Sequence, residues 1–140
     1  MAETVFNVFK KLLADGDEDW PNADYRAALL TGSVTIDPDH ADVAEVIAAN
    51  TEASDGSYAR QALGTQTNTQ DDTNDRANLD AATIDFGALD NETPTAMLIF
   101  RQVTTDSDSI PVAVYDSNFG AAANGAGYTV TTPNDLLRIS

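Results

Sequence analysis

The groups in this chain best suited to chemistry are carboxylates, and they gather in three places. Asp37, Asp39, His40 and Asp42 crowd together in DPDHAD; Asp106 and Asp108 lie in TTDSDS; Asp71, Asp72 and Asp75 lie in DDTND. A hard cation such as Ca²⁺ takes about six to eight oxygen ligands, and two or three clustered aspartates can begin such a shell. Asp37, Asp39 and Asp42 are therefore candidate ligands for a structural cation. The spacing is not that of an EF-hand, which needs a glycine at the sixth loop position and a glutamate at the twelfth. A helix N-terminus attracts the same acids through its dipole, so capping stands beside cation binding as a reading of DPDHAD.

Other chemistries find less to work with. The chain has no cysteine and one histidine, which removes thiolate nucleophiles, zinc-thiolate sites and three-histidine metal sites. A Ser-His-Asp set would have to use His40, yet Gly32-Ser33 lacks the rest of a nucleophile elbow. The glycine-rich stretch Gly120 to Gly127 has no lysine and no strand-to-helix context for a phosphate, and reads as a mobile or interface loop. Paired-carboxylate hydrolysis needs two acids at fixed separation, and 18 aspartates make no single pair informative. The expectation is a protein that is not an enzyme and has no cofactor beyond a structural cation.

Charge sets the next bound. There are 23 acidic against 7 basic residues, a formal net charge of −16, and Lys10 and Lys11 are the only lysines. Nucleic-acid backbones and anionic membranes would repel such a chain, so neither is an expected partner. Adaptation to concentrated salt would accommodate the charge, because at ~1 M ionic strength the screening length falls to about 3 Å. The start, MAETVFNVFKKLL, lacks the basic region of a signal peptide, and no apolar run approaches the ~20 residues that span a bilayer.

The elements that must position these groups follow from periodicity. At 140 residues one domain is expected over 1–140. Residues 4–15 read as an amphipathic helix, with Thr4 as its cap, Val5, Phe6, Phe9, Leu12 and Leu13 on one side, and Gly16 as its stop. That apolar side either covers a sheet or docks on a neighbouring subunit, with Phe6 and Phe9 as its contacts. Asp37 and Pro38 suggest the start of a second short helix carrying Val43, Val46 and Ile47. The remainder breaks into short extended runs, YRAALLTGSV, TQTNTQ, RANLDAA, TIDFGAL, TAMLIFRQV, IPVAVY, YTVTT and LLRIS, with Pro133-Asn134-Asp135 as the last turn. Strands at this spacing without intervening helices predict a mainly β fold: an antiparallel sandwich or jelly-roll-like domain with one or two short helices near the N-terminus. In TQTNTQ, Thr65, Thr67 and Thr69 share one face and the amides the other. Neither face is apolar, which suits a sheet edge or a surface that meets another protein through hydrogen bonds.

Laid end to end, KKLLADG, YRAALLTGSV, TIDPDHADVAEV, TQTNTQDDTNDRANLDAATIDFGAL, TAMLIFRQV, PVAVYDSNFG and YTVTTPNDLLRIS cover most of the chain. In that layout the sequence resembles small structural proteins encoded by tailed viruses of bacteria and archaea, most specifically in TQDDTNDRANLDA. SDGSYARQALG and the alanine-rich GAAANGAG depart from the family pattern, so contacts made by those loops are not carried over. The resemblance implies a virion component with a β-sandwich fold and no enzyme activity, and head-decoration, head-fibre and tail-associated roles all occur among such proteins. The expectation drawn here is a decoration or cement protein bound to the outer surface of a virus head. Its partner would be the major capsid protein, and it would form a closed homo-oligomer, with a trimer favoured. Thr65, Thr67 and Thr69, with Phe6 and Phe9, would then supply the contact surface. The alternative is a head-fibre, turret or tail-associated module that binds a receptor or glycan, for which Trp20, Tyr25, Tyr58, Tyr115 and Tyr128 are the available rings.

Overall fold

A computed structural model describes residues 3–117, 119–132 and 136–139; the turn expected at 133–135 lies outside them. The chain order is β1 (Glu3–Val5), α1 (Asn7–Asp15), β2 (Tyr25–Thr31), α2 (Val43–Ala49), β3 (Thr51–Glu52), β4 (Gln61–Ala62), β5 (Thr67–Asp71), β6 (Arg76–Asp80), β7 (Ile84–Asp85), β8 (Pro94–Arg101), β9 (Ile110–Tyr115), β10 (Thr129–Val130) and β11 (Leu137–Ile139). The fold is mainly β and sandwich-like, as the strand spacing leads one to expect.

One large sheet runs in the order β1-β9-β8-β2-β3, with β4 also on β2, and two smaller sheets are built from β11-β6-β5 and β10-β7. Every pairing is antiparallel. The large sheet is buried on both faces, which is why ALL in β2 and AMLIF in β8 are continuous apolar runs. Ala28, Leu30, Leu98, Phe100 and Val114 face Val43 and Val46 of α2 on one side. Leu29, Met97, Ile99 and Tyr115 face Leu79, Ile84 and Leu137 of the small sheets, and Phe86 just beyond β7, on the other.

Local chemistry fixes the helices, in places other than those the sequence indicates. Helix α1 starts at Asn7, not Thr4, and Phe6 at its N-cap makes no side-chain cap. Thr4 instead lies in β1 opposite Val114, because β1 finds a partner more than 100 residues away that local signals do not reveal. The bulged residue Val112 of β9 offers its carbonyl to the Phe6 N–H at 3.0 Å, so the strand partner takes over the role of a cap. Gly16 closes α1 in the left-handed region at φ 78°, with its N–H on Leu13 O and the Asp17 N–H on Leu12 O. Helix α2 begins at Val43, and its cap is Asp42, whose Oδ1 accepts from the Glu45 N–H at 2.9 Å. Asp37 and Pro38 lie in the turn before it, where Pro38 O accepts from the Asn7 N–H at 2.9 Å.

Candidate functional site

The carboxylates of DPDHAD are spent separately. Asp37 Oδ1 accepts from the Asp39 N–H at 3.0 Å, Asp39 Oδ1 accepts from Asn7 Nδ2 at 2.6 Å, and Asp42 caps α2. Among the described residues no three His, Asp or Glu side chains gather where they could hold a metal ion. The cation site expected at Asp37, Asp39 and Asp42 is corrected accordingly, since a turn, α1 and α2 each claim one carboxylate. In the hairpin loop, Asp71 gathers the Thr73 and Asn74 N–H groups, Asn74 Nδ2 and Arg76 Nε. These bonds, the Asn74 side chain first, hold its pKa below the usual carboxylate range.

Asp106 belongs to a larger network. Arg60 grips Glu52 through Nε and Nη2 at 2.7 and 2.8 Å, and Asp106 through Nη1 and Nη2 at 2.6 and 2.9 Å. Its guanidinium lies over the Phe100 ring, 5.2 Å from the centroid. The hydrogen bonds from Arg60 lower the Asp106 pKa, and those to Glu52 and then Asp106 raise that of Arg60. Tyr58 joins by donating to Glu52 Oε1 at 2.8 Å and accepting from the Leu29 N–H at 3.0 Å. Its hydroxyl is held above its ordinary pKa by burial, then by the Glu52 charge. Arg60 thereby fastens the short strand β3 and the 103–109 loop together.

The hairpin of β5 and β6 has a different character. It pairs Thr67 with Asp80 through Asp71 with Arg76 without a register shift. Strand β5 lies at the edge of its sheet, and Thr67, Asn68, Thr69 and Gln70 are all exposed. Thr67 and Thr69 share the outer face, as their spacing predicts. Thr65 does not, because it stands outside the strand with φ 48°, a left-handed conformation that is strained for a β-branched residue. It turns the corner by which the chain leaves β4 of the large sheet for β5 of the small one. Phe6 and Phe9 offer nothing to a partner, since both are 0% exposed; Phe6 packs with the α2 layer and Phe9 with the interior between the sheets. Expecting them at an interface is corrected on that ground.

Beside β5 lies a feature the sequence conceals. An apolar cavity of about 380 Å³ opens between the end of α1 and the small sheet, lined chiefly by Leu13, Trp20, Pro21, Asn68, Leu79 and Ile139. Behind it the wholly buried Glu18 side chain accepts from the Tyr25 hydroxyl, while its Oε1 lies 3.3 Å from Arg101 Nε as an ion pair without hydrogen-bond alignment. Burial, and then the bond to Glu18, push the Tyr25 hydroxyl well above its ordinary pKa. The acid-rich loop DGDEDW was the available signal, but nothing in it distinguishes the buried Glu18 from exposed Asp17 and Asp19.

The rings are mostly interior. Trp20, Tyr25 and Tyr115 are buried, while Tyr58 and Tyr128 are half-buried and pack against the core. The glycine-rich strip is bound rather than loose: Gly120, Ala123, Gly125 and Tyr128 donate their N–H groups to Pro94, Glu92, Leu89 and Gly87 carbonyls at 2.7 to 2.8 Å. Compared with known families, curated proteins and solved structures, the chain finds no match.

Proposed function

We propose that this chain is a structural component of a virion, a decoration protein that binds the outside of a tailed-virus head and joins neighbouring capsid subunits. The observation that carries the reading is the β5–β6 hairpin. The segment most like the virion proteins, TQDDTNDRANLDA, forms this hairpin, and it presents an exposed polar strand at a sheet edge. Such an edge can add a strand from a partner, with main-chain hydrogen bonds giving affinity. The doubly covered large sheet makes a rigid support, and a net charge of −16 keeps the outer surface soluble at the density of a capsid lattice. In this role the chain is structural and not catalytic, its partners are the major capsid protein and further copies of itself, and its place is the head surface.

A glycan-binding appendage module is the competing reading. It needs open rings beside acids, and the buried Trp20, Tyr25 and Tyr115 give it little support. Imaging virions assembled with and without the chain, in molar and dilute salt, separates the two. Regular density over the head lattice that disappears with the chain, with heads that burst more readily in its absence, is the expected result. Density limited to the tail or to isolated protrusions would overturn it in favour of the appendage.

A further inference from the structure

We infer that β5 is a homotypic contact: two copies of this chain join β5 to β5, antiparallel about a twofold axis at Thr69, merging two three-stranded sheets into one of six strands. The inference rests on reading β5 as the contact strand and specifies its partner, orientation and register. Among the described residues the other sheet edges are short. Strand β1 has three residues and runs almost directly into α1, and β3 and β4 have two each. Strand β5 has five, pairs with β6 without a bulge, and carries neither the proline nor the lysine with which open edges are commonly blunted.

Charge selects the occupant and its direction. A copy carrying −16 is repelled by most of this surface, but Gln61 to Gln70 is a run of ten uncharged residues that contains nearly the whole of β5. A parallel pair would stack Asp71 on the Asp71 of the copy, and like charges directly opposite destabilise a sheet. Full antiparallel overlap sets Thr67 opposite Asp71 of the copy, Asn68 opposite Gln70, and Thr69 opposite itself. No carboxylate then faces another, the two amides can exchange hydrogen bonds, and each Asp71 keeps its ion pair with Arg76, Nε to Oδ2 at 3.1 Å. The geometry is isologous, so it closes as a pair in place of the threefold cluster expected from the sequence.

The test is the mass of the purified full chain in ~1 M KCl, where the remaining repulsion is screened. The wild type is expected at twice the 14.8 kDa of one chain. The variants are compared with wild type at ~0.15 M KCl, where the screening length is about 8 Å and directly opposed carboxylates still repel. There Thr67→Asp places acid against Asp71 twice per pair and should raise the dissociation constant about tenfold, a penalty that shrinks in ~1 M KCl. Thr67→Lys, at the same exposed position, should hold the pair at least as tightly as wild type. Ala122→Asp adds the same charge on an exposed loop elsewhere and should leave the pair unchanged. A wild type that stays at one chain, or forms three, overturns the inference, as does an equal response to Thr67→Asp and Ala122→Asp. A monomer here would leave the head-surface reading standing, because imaging tests that reading separately.

Discussion

The large sheet and the small β11-β6-β5 sheet solve opposite problems with the same strand geometry. In β8 six of eight residues are buried, because side chains alternate into an α2 layer on one face and the interior of the sandwich on the other. In β5 four of five are exposed, and its neighbour β6 buries only Leu79. The first sheet holds the fold and has little surface left for a partner. The second adds little packing and leaves a strand edge open. The buried framework and the open edge thus lie in separate sheets, joined at the strained corner Thr65.

Substitutions should rank accordingly. Phe6→Ala opens a hole in the α2 layer and is expected to cost about 3–5 kcal/mol in urea unfolding, the usual loss for a buried ring. A loss below ~1 kcal/mol would return Phe6 to the surface and collapse the contrast. Arg60→Met strips Glu52 and Asp106 of their shared donor and should cost about 2 kcal/mol at neutral pH, allowing for their partial exposure. The Asp106 share of that loss depends on pH. Its folded pKa is depressed, so its contribution is present above the ordinary carboxylate value near ~4 and disappears as pH falls through the lower folded value. The gap between wild type and variant should therefore narrow in acid titrations of stability; a gap that widens would deny Asp106 its role.

Smaller effects sharpen the comparison at the corner and the edge. Asparagine tolerates the left-handed region far better than threonine, so Thr65→Asn should raise stability by about 1 kcal/mol, read as an increase in the urea midpoint at constant slope. Thr69→Ala, on the exposed edge, should change the stability of the isolated chain by no more than ~0.5 kcal/mol. If its cost matched that of Phe6→Ala, β5 would have to be counted as part of the framework.

What the sequence makes legible is what neighbours along the chain decide. The run TAMLIF announces a strand buried on both faces, DDTND closes the hairpin, and Gly16 ends α1, because each outcome depends on a few adjacent residues. Thr4 and Asp37 mislead for the complementary reason: both are good caps locally, and strand β9 and the Asn7 N–H reassign their segments from far away. Of the exposed edge strand, the shared face of Thr67 and Thr69 could be read from alternation. The backbone strain at Thr65, the burial of Phe6 and Phe9, and the assembly of Glu18, Tyr25 and Arg101 required the whole fold.

The order of strands in the large sheet also bears on how the protein is made. Strand β2 has β8 as its longest partner, and β8 starts 69 residues after β2 does. At roughly 5–20 residues per second of synthesis, β2 leaves the ribosome on the order of 4–14 s before β8. During that interval YRAALLT is an apolar strand with one flank unpaired, while β1 and α1 wait longer still for β9. The nascent chain therefore passes through a vulnerable period set by topology. Its crowded aspartates, whatever they do in the finished molecule, keep unfinished copies apart until the central strands meet.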